Sequence, residues 1–278
     1  MDRYPALATD LTDWLEICRH AVGDLRGVLE ELPTRVTREP ITGRGVGGDD
    51  TTAIDAAAEA AIVRRLEAAH EAGLQFRLVS EELGERAFGE AETTVVVDPI
   101  DGSVNAKRGI PFFAFSLAVA EGREMGDVEF GYVYDLGTGE EWTAQKGRGA
   151  FLDGEPLGAV RPKDEIELLQ FEATVTDLVA DRIETFRGVA ERIRVMGSLA
   201  LSLCHLAAGR VDAVCSLKPA RSVDIAAAQL LIRECGLAVD LPESPPFERA
   251  PLDLEGRSRI VAAGTPEACR RLTDALLR

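Results

Sequence analysis

Apolar residues recur at two different spacings along the chain, and each spacing predicts a different element. Residues 11–32 place them three and four apart, which predicts a long amphipathic helix ended by Pro33. A second, alanine-rich helical pattern runs from residue 51 or 52 to His70. Short β-branched and aromatic runs predict strands at 76–79, 94–97, 113–120, 128–133 and 141–144, the last three antiparallel.

The second half of the chain alternates shorter strands with helices. Strands are predicted at 168–171, 194–195, 211–216, 237–240 and 259–263, and helices at 178–189, 198–208, 223–235 and 266–277. Residues 34–50, rich in Gly, Arg and Asp, predict an extended loop. Strand clusters that alternate with helix pairs favour a layered α/β (α+β) fold over a simple doubly wound sheet.

Composition narrows the function classes. The chain has 278 residues, of which 46% are hydrophobic and 28% charged, so it suits one large domain or two intimately packed ones. Its net charge of −17 argues against a nucleic-acid partner, because phosphate backbones need basic surfaces. We find no signal-peptide pattern and no apolar run of bilayer length, so we expect a cytoplasmic protein with no membrane partner. The five cysteines are scattered, which argues against a disulfide framework or zinc site.

The most informative segment is the stretch Asp98-Pro99-Ile100-Asp101-Gly102-Ser103-Val104-Asn105, which follows the apolar run 95–97. Two carboxylates at a strand end are hard oxygen ligands that suit Mg²⁺. Gly102 allows the backbone to approach a ligand closely, and a helix that starts at Ser103 would present its amides to an anion. The same residue types also form ordinary surface turns, so this segment alone leaves both interpretations open.

Other segments place further acids at strand ends and helix starts. Glu81 and Glu82 follow a predicted strand, Asp55 lies near the start of the second helix, and Asp224 begins an alanine-rich helix. Asp224 by itself is typical of an N-cap, and the glutamate pair by itself is typical of a solvated turn. Together these positions supply the several oxygens that a metal site needs.

With these segments in this order, the chain resembles the inositol monophosphatase family, within the wider group of lithium-sensitive, Mg²⁺-dependent sugar phosphatases that includes fructose-1,6-bisphosphatase-like members. The family pattern is an acidic pair after a strand, then D-P-[IL]-D-G-[ST]-x-N, later G-S, and an Asp before Ala-Ala. The chain supplies Glu81-Glu82, Asp98 to Asn105, Gly197-Ser198 and Asp224-Ile225-Ala226-Ala227. It departs from the family at Val223 and Ala228, where Trp and Gly are common.

The resemblance implies an architecture and an oligomeric state. It implies a layered α-β-α-β-α sandwich of the sugar phosphatase type, formed by residues 1–278 as a single catalytic unit. Two packed halves are expected, with metal and phosphate in about 1–155 and the substrate side in about 156–278. The resemblance also implies a homodimer that binds a small-molecule phosphate ester.

The resemblance further implies a set of metal ligands. Glu81, Asp98 and the carbonyl of Ile100 would hold one Mg²⁺, and Asp98, Asp101 and Asp224 would hold a second. A weaker third ion would contact Glu81 through waters. Mn²⁺ is expected to substitute for Mg²⁺.

Catalytic and substrate-binding roles follow in the same way. Ser103, paired with Asp55, would orient the metal-activated water, and the amides of Gly102 and Ser103 would hold the phosphate. Glu82 is expected to support a ligand rather than be one. The substrate-binding residues implied are Gly102, Ser103, Asn105, Arg194, Gly197, Ser198 and Arg221, with Lys218 nearby. For Arg221, a structural ion pair is an equal alternative.

The implied activity is a Mg²⁺-dependent phosphomonoesterase that hydrolyses a sugar or inositol phosphate such as inositol 1-phosphate. Fructose-1,6-bisphosphatase and 3′-phosphoadenosine 5′-phosphate phosphatase are the alternatives among enzymes. A catalytically silent, metal-binding regulatory protein on the same fold is the alternative from another class, and the retained acids and Ser103 argue against it. Gly43 to Gly48 match G-x-G-x-x-G, but no hydrophobic strand precedes them, which argues against a dehydrogenase.

Overall fold

The computed structural model describes residues 9–46, 48, 50–158, 163–172 and 175–278. The helices of this part are α1 Thr9–Glu31, α2 Arg35–Arg38, α3 Ala53–Glu71, α4 Ser103–Arg108, α5 Thr176–Arg182, α6 Leu199–Ala207, α7 Ser222–Glu234 and α8 Pro266–Leu277. The strands are β1 Ile41–Arg44, β2 Asp50–Thr52, β3 Phe76–Ser80, β4 Gly84–Phe88, β5 Thr93–Asp101, β6 Ala114–Glu121, β7 Val128–Asp135, β8 Glu141–Gln145, β9 Gly149–Leu152, β10 Glu155–Pro156, β11 Leu168–Glu172, β12 Arg192–Val195, β13 Ala213–Ser216, β14 Ala238–Asp240 and β15 Val261–Ala263. Within these residues, no helix combines the length and the apolar character needed to cross a membrane.

Two sheets carry the fold. The larger has eight strands in the order β10-β9-β8-β7-β6-β5-β3-β4, antiparallel throughout except for the parallel pair β3 and β5. The smaller has the order β12-β11-β13-β15-β14, in which β11 runs parallel to both of its neighbours. The predicted antiparallel strands are confirmed. The larger sheet ends at Pro156 and the smaller begins at Leu168, so the predicted division at about residue 155 lies at the end of the first sheet. The account of residues 1–278 as one catalytic unit stays a prediction.

Three apolar clusters bind the helices to the sheets. Helices α1 and α3 cover the outer face of the large sheet, where Trp14, Ile54 and Phe76 are buried together. Helices α6 and α7 lie between the two sheets, and the buried apolar side chains of both sheets pack against them. Helix α8 covers the outer face of the small sheet, where Phe171 and Leu272 share a cluster. The result is the α-β-α-β-α sandwich that the resemblance implied.

Two predicted elements were wrong in detail. The predicted loop 34–50 contains α2, capped by Thr34, and β1, which pairs with β2 beginning at Asp50. The solvent exposure of β1 explains why its residues show no apolar alternation. The helix predicted at 178–189 is the shorter α5 followed by a 3₁₀ turn over Ile183–Phe186, and Gly188 adopts a left-handed φ of 78° just beyond it.

Candidate active site

The acidic positions meet because of strand adjacency. Ser80 is paired with Val97 across the parallel strands β3 and β5, so Glu81 and Asp98 follow at the same sheet edge. Asp224 arrives there from the first turn of α7, which packs on β5, β6 and β7. One carboxylate oxygen from each of Glu81, Asp98 and Asp224 lies within 4.8 Å of the others.

A bulge explains how both aspartates of the octapeptide face the same site. Residues three apart in a regular strand point to opposite faces. Asp98 pairs with Ser116 and Asp101 with Ala114, so β5 carries one extra residue between them. This insertion returns Asp101 to the face of Asp98, and Pro99, which lacks an amide hydrogen, lies within the interruption.

The electrostatics of the cluster favour a cation. Asp98 is only 2% exposed, and burial together with the charge of Glu81 raises its pKa well above the ordinary value. Burial also raises the pKa of Glu81 to about 8 and that of Asp101 to about 6. Buried carboxylates that repel one another are stabilised by a bound positive charge, so these residues fit a divalent cation.

Asp101 connects the octapeptide to the Gly197-Ser198 motif by hydrogen bonds. Its Oδ2 accepts hydrogen bonds from Ser198 Oγ at 2.6 Å and from the amide of Ala200 at 2.7 Å. Ser198 Oγ in turn caps α6 by accepting from the amide of Leu201 at 3.3 Å. Asp101 Oδ2 therefore binds the N-terminus of α6 through these two hydrogen bonds. The role of Asp101 as a metal ligand stays a prediction.

Asp55 and Ser103 line one cleft with Glu81 and Asp98. Asp55 Oδ2 accepts from the amide and the hydroxyl of Thr52 at 3.1 and 2.6 Å, while its buried Oδ1 has no hydrogen-bond partner in the described part of the chain. Ser103 Oγ donates to the carbonyl of Ile100 at 3.2 Å. No hydrogen bond between the described residues joins Asp55 to Ser103, so their pairing stays a prediction. The orphaned Oδ1 fits a group that accepts a hydrogen bond from water.

Gly102 is required for its backbone conformation. Its φ is 95°, and a Cβ there would lie 3.0 Å from the carbonyl oxygen of Gly197. Asn105 holds the same two segments together, because its Nδ2 donates to the carbonyls of Phe112 at 2.8 Å and Met196 at 2.7 Å. The structure thus gives Asn105 a positioning role beside its place in the pocket wall.

The site opens into a pocket of about 560 Å³. Of the predicted substrate residues, Gly102, Ser103, Asn105, Gly197 and Arg221 line it, together with Lys218. Ser198, which is buried and donates to Asp101, lies outside this lining. Arg194 lies outside this lining: it is exposed on β12, where its Nη1 donates to the carbonyl of Ile193 at 2.8 Å. Val195, the next residue of β12, does line the pocket, and successive side chains of a strand point to opposite faces.

Lys107, Arg257 and Glu172 are among the pocket residues that were not identified from the sequence. Lys107 follows the octapeptide by two residues on α4, and that spacing was the available signal. Arg257 comes from the loop before β15, and Glu172 ends β11 and accepts from the amide of Gly197 at 3.0 Å. Burial raises the pKa of Glu172 to about 7.

Arg221 and Glu82 lie in the wall around the acidic cluster. Arg221 Nη2 is 2.6 Å from Glu81 Oε1 and 3.2 Å from Asp224 Oδ1, so the ion-pair alternative describes this residue. Glu82 accepts a hydrogen bond from Thr51 Oγ1, and its carbonyl accepts from the amide of Val46 at 3.2 Å. Glu82 therefore anchors the β1–β2 hairpin beside the site.

The fold and the acidic cluster together define the class: the chain belongs to the inositol monophosphatase family, whose sequence model matches residues 14–277. It is 32% identical to the fructose-1,6-bisphosphatase/inositol-1-monophosphatase of Thermococcus kodakarensis, over 95% of this chain and 97% of the relative. It is also 32% identical to the Nus factor SuhB of Escherichia coli, over 83% of this chain and 86% of that protein. The crystal structure of an inositol monophosphatase-fructose 1,6-bisphosphatase, the MJ0109 gene product, superimposes with a TM-score of 0.81 at 28% identity and covers 94% of this chain and 99% of its own. The predicted family, fold and phosphatase class are confirmed.

Proposed function

We propose that the protein is a Mg²⁺-dependent phosphomonoesterase that hydrolyses inositol 1-phosphate or a similar sugar phosphate. The observation that carries the proposal is the convergence of Glu81, Asp98 and Asp224 in a pocket that also holds the D-P-I-D-G-S loop. The kinship to enzymes named for both inositol monophosphate and fructose bisphosphate supports the same substrate class.

The residues that would hold the metal are Glu81, Asp98, Asp101 and Asp224, with the carbonyl of Ile100. When two divalent cations are bound in such a site, they supply an activated water and stabilise the leaving alkoxide. The amide of Ile100 fixes Asp98 by donating to its Oδ1 at 2.9 Å. Burial of the acids excludes bulk water from the cluster and strengthens their interaction with a cation.

Asp55 and Ser103 would orient the attacking water, since Asp55 Oδ1 is available to accept a hydrogen bond from it and Ser103 lines the same cleft. The amides of Gly102 and Ser103 would bind the phosphate. The left-handed conformation of Gly102 is what turns the backbone from β5 into α4 at this point.

Replacing Ser103 by Ala is expected to lower kcat by about 10²–10⁴-fold, the scale for a positioned proton-handling group. Ser103→Thr keeps the hydroxyl and is expected to retain activity. Steady-state phosphate release by the two variants and the wild type checks this. A wild-type kcat for Ser103→Ala would remove Ser103 from the orientation of water.

A bisphosphate substrate is the second candidate, and the basic pocket wall favours it. The cations that line the pocket are Lys107, Lys218, Arg221 and Arg257, and Arg221 also forms ion pairs with Glu81 and Asp224. We expect Lys107 to contact a second phosphate on a bound sugar, because its charge attracts that anion.

Lys107→Gln is expected to lower kcat/KM for fructose 1,6-bisphosphate by about tenfold, the scale of one charge-assisted hydrogen bond. Inositol 1-phosphate should be affected by less than about twofold, because it has no second phosphate. Arg108→Gln serves as the control, because Arg108 is the next residue along the chain, is exposed and lies outside the pocket lining. This variant loses the same charge as Lys107→Gln. Equal losses for both substrates would assign Lys107 to the scissile phosphate or to structure.

Phosphate release over a panel tests the proposed function as a whole. The panel contains inositol 1-phosphate, fructose 1,6-bisphosphate and 3′-phosphoadenosine 5′-phosphate, each assayed with Mg²⁺. Release from the first or second supports the proposal, and preference for the third would favour the nucleotide phosphatase alternative. No release from any of them would favour the catalytically silent regulatory alternative.

A further inference from the structure

Arg221 is a buried cation inside the proposed metal cluster. Its Nη2 contacts Glu81 Oε1 at 2.6 Å and Asp224 Oδ1 at 3.2 Å, and the residue is only 7% exposed. These two acids are also two of the three whose carboxylate oxygens lie within 4.8 Å of one another. One guanidinium nitrogen thus contacts two of the side chains that would ligate a divalent cation.

The start of α7 positions Arg221 beside the acidic cluster. Arg221 is the N-cap of α7, and its backbone amide donates to Asp224 Oδ2 at 2.8 Å, which keeps residue 221 beside Asp224. Glu81 is supplied from the end of β3, 140 positions earlier in the chain. The motif by which the chain resembles its family specifies Asp224 and the alanine pair that follows, but not the residue at position 221.

A guanidinium and a divalent cation compete for the same oxygens. Buried carboxylates need a nearby positive charge, and breaking such a pair by removing one partner is costly. A cation that ligates Glu81 and Asp224 must either displace Arg221 from them or bind beside its like charge, and both weaken metal binding.

We propose that Arg221 is an intrinsic cation that stabilises the acidic cluster without metal and competes with the divalent cation for Glu81 and Asp224. It acts as a positioning residue that raises the metal concentration needed to fill the site. This inference rests on the metal site of the proposed function.

The test measures Mn²⁺ binding to the resting protein by calorimetry, without substrate. Arg221→Gln removes the charge and is expected to lower the Kd for Mn²⁺ by about tenfold or more. Arg221→Lys keeps the charge and should stay within about threefold of the wild type. Arg187→Gln changes the net charge equally at a side chain that is 79% exposed, and should leave the Kd unchanged.

Thermal unfolding gives a second readout. In EDTA, Arg221→Gln should unfold at a lower temperature than the wild type, and saturating Mn²⁺ should raise its Tm by more than it raises that of the wild type. If Arg221→Gln does not fold without metal, both uncharged variants, Arg221→Gln and Arg221→Met, are purified with Mn²⁺. Their Kd is then obtained by competition with a chelator of known affinity.

The outcomes separate this inference from the metal site itself. A purely structural arginine would give a lower Tm in EDTA with an equal or weaker Mn²⁺ affinity in Arg221→Gln, and that result would overturn the competition. Absence of Mn²⁺ binding in both the wild type and Arg221→Gln would overturn the metal site and the inference together.

Discussion

Asp98→Asn is expected to abolish phosphatase activity, with a loss of at least about 10³-fold. Mutating a residue that only supports a metal ligand already lowers metal affinity or activity by about 10–100-fold, and Asp98 is proposed as a ligand itself. Asp98 is nearly fully buried, lies within the acidic trio, and is the side chain assigned to both proposed ions. An amide of the same shape keeps the packing but removes the charge that a hard cation requires. The measurement is phosphate release at saturating Mg²⁺.

The control for this variant is Asp274→Asn, the same chemical change at an exposed position of α8. It should retain wild-type activity. Circular dichroism and thermal unfolding of Asp98→Asn should show a folded protein, since the substitution relieves repulsion among the acids. If Asp98→Asn kept the wild-type kcat at saturating Mg²⁺, the bridging role of Asp98 would be wrong.

Removal of divalent cations with EDTA is expected to abolish the activity of the wild type, and added Mg²⁺ or Mn²⁺ should restore it. Within the described residues, the group of side chains placed to hold a metal consists of carboxylates alone, a ligand set that suits Mg²⁺ and Mn²⁺. The expected loss is complete, because the nucleophile and the leaving group both depend on the cation.

EDTA already saturated with Mg²⁺ is the control for this experiment, and it should leave the activity unchanged. The metal content of the treated protein is measured in parallel, so that residual tightly bound ions are recognised. Full activity of metal-free protein in excess EDTA would contradict the proposed mechanism.

The acids at the strand ends were predictable because a short apolar run in the sequence is enough to indicate a buried strand and where it ends. Val95 to Val97 and the run before Glu81 each specify a buried strand, and acids that follow adjacent parallel strands must lie at one edge. The helices α1, α3, α7 and α8 were predictable for the same reason, since each shows its own apolar face or alanine-rich run. The α-β-α-β-α order of the layers came from the family resemblance, and the core clusters agree with it.

The remaining features depend on contacts between distant segments. The ion pair of Arg221 with Glu81 joins α7 to the end of β3, and no local pattern indicates which acid an arginine will meet. Lys107 and Arg194 are both basic residues near motifs, yet only Lys107 lines the pocket, since on β12 it is Val195, next to Arg194, whose side chain faces the pocket. Strand β1 is exposed and the sequence from Gly43 to Gly48 is rich in glycine, so this hairpin lacks the apolar alternation from which strands are recognised.

The most direct test of the central claim is anomalous diffraction from crystals of the protein soaked with Mn²⁺. The claim is that acids from three separate segments of the chain form a divalent cation site. We predict an anomalous peak among the carboxylates of Glu81, Asp98 and Asp224, absent from crystals of Asp98→Asn soaked in the same way. An active protein whose Mn²⁺ binds elsewhere, with no peak between these three carboxylates, would contradict the account.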